Sequence, residues 1–164
     1  MLENGEEKLV SQISLSDRLY NPVTGRSYGV ERVVRGAEEN PLFVFHAGGK
    51  TVTVTEFHPM PLKRGIVIAS EVKKGDLIRM PGGFAPIEKV QYMLPETDLQ
   101  VYNIALKTNE VGDEHHLLVA DGIVTGDLYL QKKLQPKKDS RMAQFFWGQG
   151  LEVAPASYFG DETL

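Results

Sequence analysis

The residues of this sequence best suited to acid–base chemistry near neutral pH are its four histidines, His46, His58, His115 and His116. His115 and His116 are adjacent, and neighbouring side chains on a strand point to opposite faces. Two such rings cannot readily chelate one ion, so the pair does not indicate a metal site, and at most one ring faces a site. We therefore expect no metal and no cofactor.

His58 stands three residues after Thr55, and only the family resemblance given below pairs the two as site residues. In an extended segment their side chains lie on opposite faces, and they meet only if the chain turns between them. Pro59 restricts His58 to an extended or turning backbone, which suits a site at the end of a strand. The alternative is a half-buried strand histidine that is hydrogen-bonded to backbone.

Other chemistries find no support in the residue types. The sequence has no cysteine, which excludes disulfide scaffolds, thiolate zinc sites and cysteine nucleophiles within it and leaves the cellular compartment undetermined. Gly49-Lys50-Thr51 resembles the end of a phosphate-binding loop, but that motif needs a glycine where the chain has Val44. No Gly-x-Ser-x-Gly segment is present, so a hydrolase nucleophile elbow has no support either.

Charge and composition limit the partners. The 164 residues suffice for one domain, and 18 Lys and Arg against 22 Asp and Glu give a net charge of −4. No global positive field therefore exists to hold a nucleic acid or an anionic membrane surface. No apolar run approaches the roughly 20 residues that span a bilayer, and the first residues lack the basic start and apolar segment of a signal peptide.

Turn-forming residues divide the chain into short strands. The 16 glycines and 9 prolines are spread between apolar stretches, which is typical of an all-β domain. Gly48-Gly49 predicts a hairpin turn, and the valines and threonines that follow it alternate with the period of a strand. Segment 69–74 is expected to be one turn or a loop. Strands are expected at 28–34, 42–46, 51–55, 66–69, 87–92, 101–106 and 117–124.

The sequence changes character after Gln131. Basic residues outnumber acidic ones over the next ten positions, but no aromatic residue is interleaved with the lysines, which favours a polar linker over a nucleic-acid patch. Ser140 can cap a short helix through Phe145-Phe146-Trp147, which we expect to dock on the β domain. The sequence thus predicts a β domain over 1–131, a linker and helical tail over 132–164, and no helix before that tail.

Five fragments in a fixed order carry a resemblance to a known family. They are residues 9–21, Thr55-Glu56-Phe57-His58-Pro59, residues 69–76, Val101-Tyr102-Asn103-Ile104, and residues 116–124. Together they resemble the Hint superfamily, the self-processing domains of hedgehog proteins, inteins, bacterial intein-like domains and pretoxin modules. The resemblance covers residues 1–131. It implies an all-β, horseshoe-like fold of many short strands with pseudo-twofold symmetry, whose two ends meet at one catalytic centre.

The resemblance also implies a reaction and a set of site residues. Family members cleave the peptide bond before their first residue after a Cys or Ser attacks the preceding carbonyl, so their substrate is their own flanking polypeptide. In their Thr-x-x-His motif the threonine orients the scissile amide and the histidine protonates the departing nitrogen. Thr55 and His58 match this motif, and His116 matches a further histidine of the penultimate strand.

The chain departs from the family at both ends. Splicing members finish on His-Asn, where this chain has Gly126-Asp127, so splicing and cleavage at that edge are expected to be absent and Asp127 is expected to cap a turn. Asn4-Gly5 is a hairpin signal with only three residues before it, so the arm with the nucleophile is expected to precede Met1. The chain is then N-terminally truncated and inactive as given; alternatively the terminus is frayed and the signal has no meaning.

Two other interpretations remain open. The first is a binding or assembly module without catalysis, which uses the β fold as a scaffold and the basic linker with Phe145-Phe146-Trp147 as its contact surface. The second is an unrelated β-barrel or sandwich, which predicts that Thr55, His58 and His116 lie far apart.

Overall fold

The computed structural model describes residues 1–136, which form eleven strands, one α-helix and three 3₁₀ turns. The strands are β1 (Arg18–Asn21), β2 (Arg26–Ala37), β3 (Leu42–Ala47), β4 (Lys50–Val54), β5 (Pro59–Leu62), β6 (Gly65–Ile68), β7 (Leu77–Met80), β8 (Gly83–Met93), β9 (Gln100–Lys107), β10 (Leu117–Ala120) and β11 (Ile123–Gly126). The helix α1 is Leu128–Leu134, and the 3₁₀ turns are Val10–Gln12, Ala69–Glu71 and Asp113–His116. The predicted all-β class with one short helix near its end is confirmed.

The strands of residues 1–136 pair antiparallel in three sheets. The largest has the order β4-β3-β8-β7-β5-β6, the second is β1-β2-β9, and the third is the hairpin β10-β11. β3 and β4 form the hairpin that Gly48-Gly49 predicts, with Ala47 opposite Lys50. Along β4 the valines are buried and the threonines exposed, as the alternation predicts.

The turn predicted at Asn4-Gly5 is also present. The Gly5 amide donates to the Leu2 carbonyl at 3.0 Å, and the Leu2 amide donates to the Glu6 carbonyl at 2.8 Å. Gly5 has a φ of 86°, a backbone conformation in which glycine is favoured. Leu2 in turn makes a β-bridge to Leu19 in β1. The alternative of a frayed terminus is therefore wrong for these residues.

β5 is a buried strand that carries two prolines, and the sequence does not predict it. Pairing with β6 runs along its whole length, whereas pairing with β7 is limited to Leu62 opposite Ile78. The Lys63 amide donates to the Leu77 carbonyl, so odd-numbered residues of this segment direct their nitrogens towards β7. Pro59 and Pro61 are both odd-numbered, so their missing N–H groups fall on the side where few ladder bonds are needed.

Several apolar clusters pack the described sheets together, and two of them include residues of the last hairpin. The larger fills the inner face of the six-stranded sheet and includes Ile123 of β11, so the last hairpin is anchored on that sheet. A smaller cluster joins Leu117 of β10 and Val124 of β11 to Leu130 of α1. Each fully buried large side chain contributes about 1.5–3 kcal/mol to stability. Asp127 therefore lies between two packed elements, β11 before it and α1 after it.

The absence of a helix before the tail is a wrong prediction, because α1 begins directly after β11. Asp127 caps this helix, and its side chain accepts a hydrogen bond from the Leu130 amide. Lys132 and Lys133, predicted to lie in a linker, occupy the last turn of α1. The predicted helix through Phe145-Phe146-Trp147 lies outside the described residues. Within residues 1–136 no helix is long and apolar enough to cross a membrane.

Candidate functional site

Thr55 and His58 lie in a tight turn between β4 and β5. The His58 amide donates to the Thr55 carbonyl at 3.1 Å, which closes the turn, and the Ala69 amide donates to the His58 carbonyl at 2.9 Å. The chain therefore turns between the two side chains, which is the condition under which a three-residue spacing lets them meet. Of the alternative from the sequence, a half-buried strand histidine, the half-burial of His58 agrees with the structure. The strand part is wrong, because β4 ends at Val54 and β5 begins at Pro59.

The polar groups of this turn are poorly solvated. The Thr55 side chain is buried, and its hydroxyl has no hydrogen-bond partner among the described residues. Burial lowers the pKa of His58 from 6.5 to about 4, because an imidazolium there would lose its hydration. His58 is thus a neutral imidazole at pH 7. A buried hydroxyl without a partner and a buried neutral imidazole both cost stability, and such costs are concentrated at functional sites.

Two carboxyl groups lie near the same turn. Burial raises the pKa of Glu56, and the negative charge of Glu38 raises it further. Glu38 is buried, and one of its oxygens accepts hydrogen bonds from the Glu39 and Asn40 amides at 3.0 and 2.8 Å. The surroundings of the turn therefore disfavour additional negative charge.

His116 and Asp127 form the second polar centre. Nδ1 of His116 lies 3.0 Å from Oδ2 of Asp127, and both side chains are buried. The same Oδ2 atom accepts a hydrogen bond from the Leu106 amide at 3.0 Å, while Oδ1 accepts one from the Leu130 amide at 3.1 Å. Asp127 is thus a fully buried carboxylate that is satisfied by an imidazole and two backbone amides.

α1 completes this second centre. The ring of Tyr129 stacks on the ring of His116, with 4.0 Å between centroids and 19° between planes. The Asn103 side-chain amide donates to the side-chain oxygen of Gln131. A salt bridge of 2.7 Å between Lys133 and Asp113 joins the end of the helix to the 3₁₀ turn that carries His116. The helix therefore covers the centre and fixes the plane of the imidazole.

The two centres meet where β5 passes the end of β11. A Cβ atom added to Gly126 would lie 2.5 Å from Cβ of Pro59, so Gly126 packs closely against the proline ring. His58 precedes Pro59, and Asp127 follows Gly126. The fold therefore brings the Thr55–His58 turn and the His116–Asp127 pair to adjoining positions.

An open cleft adjoins His116. Its volume is about 280 Å³, and its walls include His116, Tyr129, Glu31 and the segment from Thr108 to Gly112. Glu31 is the additional residue of a β-bulge, since the register of β2 against β9 shifts between Val30 and Arg32. Bulges commonly redirect a side chain next to a functional site. His116 therefore lines a cleft that is open to solvent.

His115 belongs to a different environment. Its Nδ1 atom lies 2.7 Å from the Tyr28 hydroxyl, away from Asp127. The two adjacent histidines therefore point apart, although they lie in a 3₁₀ turn and not on a strand as the sequence suggests. Among residues 1–136, no group of three or more His, Cys, Asp or Glu side chains is placed to hold a metal ion.

Three residues of the second centre are not predicted from the sequence as site residues. Asp127 does cap the segment that follows it, but that segment is a helix and not the expected turn, and the bond of Asp127 to His116 is a tertiary contact that no local pattern indicates. Tyr129 and Glu31 reach the site through α1 and through a bulge, respectively. A helix signal existed in the sequence, since an Asp directly before Leu128 is a favourable N-cap.

Comparison with known proteins supports the fold. No protein-family model matches the sequence, and no curated protein matches it. Solved structures do match. The gp41-1 intein is 22% identical with a TM-score of 0.60, over 73% of this chain and 87% of the intein. A bacterial intein-like domain from Clostridium thermocellum is 22% identical with a TM-score of 0.59, over 72% of this chain and 86% of that domain.

A DnaB intein from Synechocystis sp. PCC 6803 gives a similar result. It is 16% identical with a TM-score of 0.62, over 77% of this chain and 91% of the intein. At such identities the likeness establishes the fold alone. The chain has a divergent form of the intein Hint fold, as its sequence fragments imply.

Proposed function

We propose that this chain is a self-processing domain whose substrate is its own flanking polypeptide, and that cleavage begins with an acyl shift at a residue preceding Met1. The observation that carries the proposal is the Thr55–His58 turn. It carries a buried hydroxyl without a partner among the described residues and an imidazole that is neutral at pH 7, and a backbone hydrogen bond from the His58 amide to the Thr55 carbonyl closes the turn between them. A bound substrate could supply a hydrogen-bond partner for the Thr55 hydroxyl and for the His58 imidazole.

The protonation state of His58 suits the first step. With a pKa of about 4, the ring is a base at pH 7 and can take the proton of a hydroxyl or thiol nucleophile. The imidazolium so formed is poorly solvated, so it readily gives that proton to the departing amide nitrogen. In the same proposal the Thr55 hydroxyl donates to the scissile carbonyl, which gives this buried group a hydrogen-bond partner.

The nucleophile of this step is proposed to lie before Met1. The sequence has no cysteine, and Ser11, Ser14 and Ser16 are exposed in the segment before β1. The Tyr20 amide donates to the Met1 carbonyl at 3.2 Å, so a preceding residue that continued this pairing would lie beside Asn21. The Asn21 side chain donates to the Glu114 carbonyl, within the turn that carries His116.

Cleavage at the other edge is not part of the proposal. Family members that splice rely on a terminal asparagine, whereas Asp127 is a buried carboxylate that caps α1. The bond after Asp127 enters a helix whose Leu128 and Leu130 side chains are fully or almost fully buried. A bond held in this way is not presented for cleavage, so splicing is not expected.

The test is a version extended upstream of Met1 that bears a Cys or Ser and carries a reporter protein before it. We expect incubation with hydroxylamine to release the reporter as its hydroxamate, because hydroxylamine captures an ester or thioester. His58→Gln and Thr55→Val should abolish release. His46→Gln is the matched control and should not, since His46 bonds Gln91 and Thr51 on the sheet. An extended chain that releases no reporter would refute the proposal.

A further inference from the structure

We propose that His116 and Asp127 form an acid–base dyad that activates water, so that the acyl intermediate ends in hydrolysis and the upstream polypeptide leaves as a free carboxylic acid. This inference rests on the proposed function and concerns its second step. His116 is the general base, and Asp127 is a positioning residue that acts through it.

The bond to Asp127 selects one tautomer of His116. A buried carboxylate that already receives two backbone amides is an acceptor, so the imidazole atom facing it must donate. Nδ1 therefore carries the proton, and the lone pair lies on Nε2. The bond to Asp127 is made by Nδ1, and His116 lines the cleft.

Tyr129 fixes the plane of the ring. Its stacking on His116 prevents the imidazole from rotating about its own axis, so the bond to Asp127 and the direction of Nε2 are set together. Preorganisation of this kind is what distinguishes a catalytic imidazole from a solvent-exposed one. Removal of Tyr129 alone would leave the hydrogen bond but loosen its geometry.

The cleft has room for the nucleophile. Its volume of about 280 Å³ exceeds several times the roughly 30 Å³ that one water molecule occupies in the liquid. The cleft is open to solvent and His116 lines it, so water reaches this residue without passing through the core. The contact between Gly126 and Pro59 places this centre next to the Thr55–His58 turn, where the acyl group would form.

The step balances without any co-reactant other than water. The water oxygen attacks the carbonyl carbon of the ester or thioester while Nε2 of His116 takes one water proton. The bond from that carbon to the side-chain oxygen or sulfur then breaks, and the leaving group takes the proton from the imidazolium. Asp127 stays ionised throughout and stabilises the transient charge on the ring. The products are a carboxylic acid and a regenerated hydroxyl or thiol.

The dyad can be tested in the chain as it exists, with p-nitrophenyl acetate as a stand-in for the acyl intermediate. We expect His116→Gln to lower kcat/KM by about 100-fold, within the range usual for loss of a general base. Asp127→Asn should lower kcat with KM unchanged, because it acts on the base and not on ester binding. His46→Gln is the control and should hydrolyse the ester as the parent chain does. Equal rates for the parent and His116→Gln would overturn the inference.

A second measurement separates positioning from structure. Asparagine is as good an N-cap as aspartate, so Asp127→Asn keeps α1 when its oxygen stays on the Leu130 amide. Its NH₂ group then replaces Oδ2, gives up the bond from the Leu106 amide and donates to Nδ1, which moves the ring proton onto Nε2. Nitrogen NMR of the imidazole should show Nδ1–H in the parent chain and Nε2–H in Asp127→Asn. A purely structural role for Asp127 predicts the same tautomer and the same kcat in both, which would overturn the inference.

The upstream-extended chain distinguishes the two proposals. Reporter release by hydroxylamine with unchanged water-dependent release in His116→Gln would refute the dyad and leave the acyl shift intact. No release by hydroxylamine, together with ester hydrolysis that depends on His116, would refute the acyl shift and leave the dyad as a hydrolytic centre. If water-dependent release needs His116 and hydroxylamine capture does not need it, both proposals are supported.

Discussion

The low pKa of His58 predicts how the free energy of unfolding changes with pH, and this change can be measured at the candidate site itself. Burial lowers the pKa of this imidazole from 6.5 to about 4, so the folded chain binds the proton more weakly than the unfolded chain does. As pH falls from 7, the unfolded chain takes up a proton at His58 and the folded chain does not. The free energy of unfolding therefore falls as pH drops through 6.5, and the loss is complete below about pH 4.

The magnitude follows from the same pKa. Each pKa unit corresponds to about 1.36 kcal/mol, so a pKa lowered from 6.5 to about 4 corresponds to about 3 kcal/mol. His58 keeps part of its surface in contact with solvent, which reduces the desolvation penalty of the charged form. We therefore expect His58 to contribute about 2–3 kcal/mol of the stability lost between pH 7 and pH 4.

The measurement is urea unfolding followed by far-UV circular dichroism at pH 7.0, 5.5 and 4.0, with His58→Gln as the comparison. Glutamine does not titrate, so the variant should lose about 2–3 kcal/mol less than the parent chain over this range. His46→Gln controls for the removal of a histidine, and it should follow the parent chain. Equal losses in the parent chain and in His58→Gln, or an NMR titration of His58 centred near 6.5, would refute the reasoning.

Three further predictions concern the packing around the site. Gly126→Ala should lower the free energy of unfolding by about 1–3 kcal/mol, because its Cβ would lie 2.5 Å from Cβ of Pro59; Gly82→Ala, with open space around it, is the control and should stay within about 0.5 kcal/mol. Thr55→Val should not reduce stability in urea unfolding, since it removes a buried hydroxyl without a partner among the described residues. A clear loss would show that this hydroxyl is satisfied. Burial and a nearby carboxylate raise the pKa of Glu56, so Glu56→Gln should stabilise the chain at pH 7, with the gain disappearing as pH falls and the parent carboxyl becomes neutral. A gain that is independent of pH would contradict this assignment.

Most of the sheet could be predicted because its signals are local. Alternating valines and threonines, together with two consecutive glycines, specify the β3–β4 hairpin without reference to any other part of the chain. β5 could not be predicted in this way, because the prolines Pro59 and Pro61 argue against a strand when only the sequence is considered. They are tolerated because β7 pairs with β5 at one position, a fact of topology that no window of sequence contains.

The candidate site could be predicted only as far as its residues resemble a family motif. Thr55, His58 and His116 are named by the resemblance alone, and the tight turn at Thr55 is consistent with the proline that follows His58. Asp127 is a different case. Its side chain caps α1 and also bonds to His116, eleven residues away in the chain, and only the first of these roles has a sequence signal.

The departure from the family pattern at Gly126-Asp127 has a packing explanation. Gly126 lies against the rigid ring of Pro59 and within 3.0 Å of Leu130 of α1, measured from an added Cβ, so a histidine at this position would displace both. Asp127 in turn supports the helix whose Leu130 creates part of that crowding. The glycine, the carboxylate and the helix are therefore mutually dependent. Restoring His-Asn at 126 and 127 would disrupt the packing of α1 before it could restore chemistry, and for this reason we expect that double substitution to yield no cleavage at the C-terminal edge.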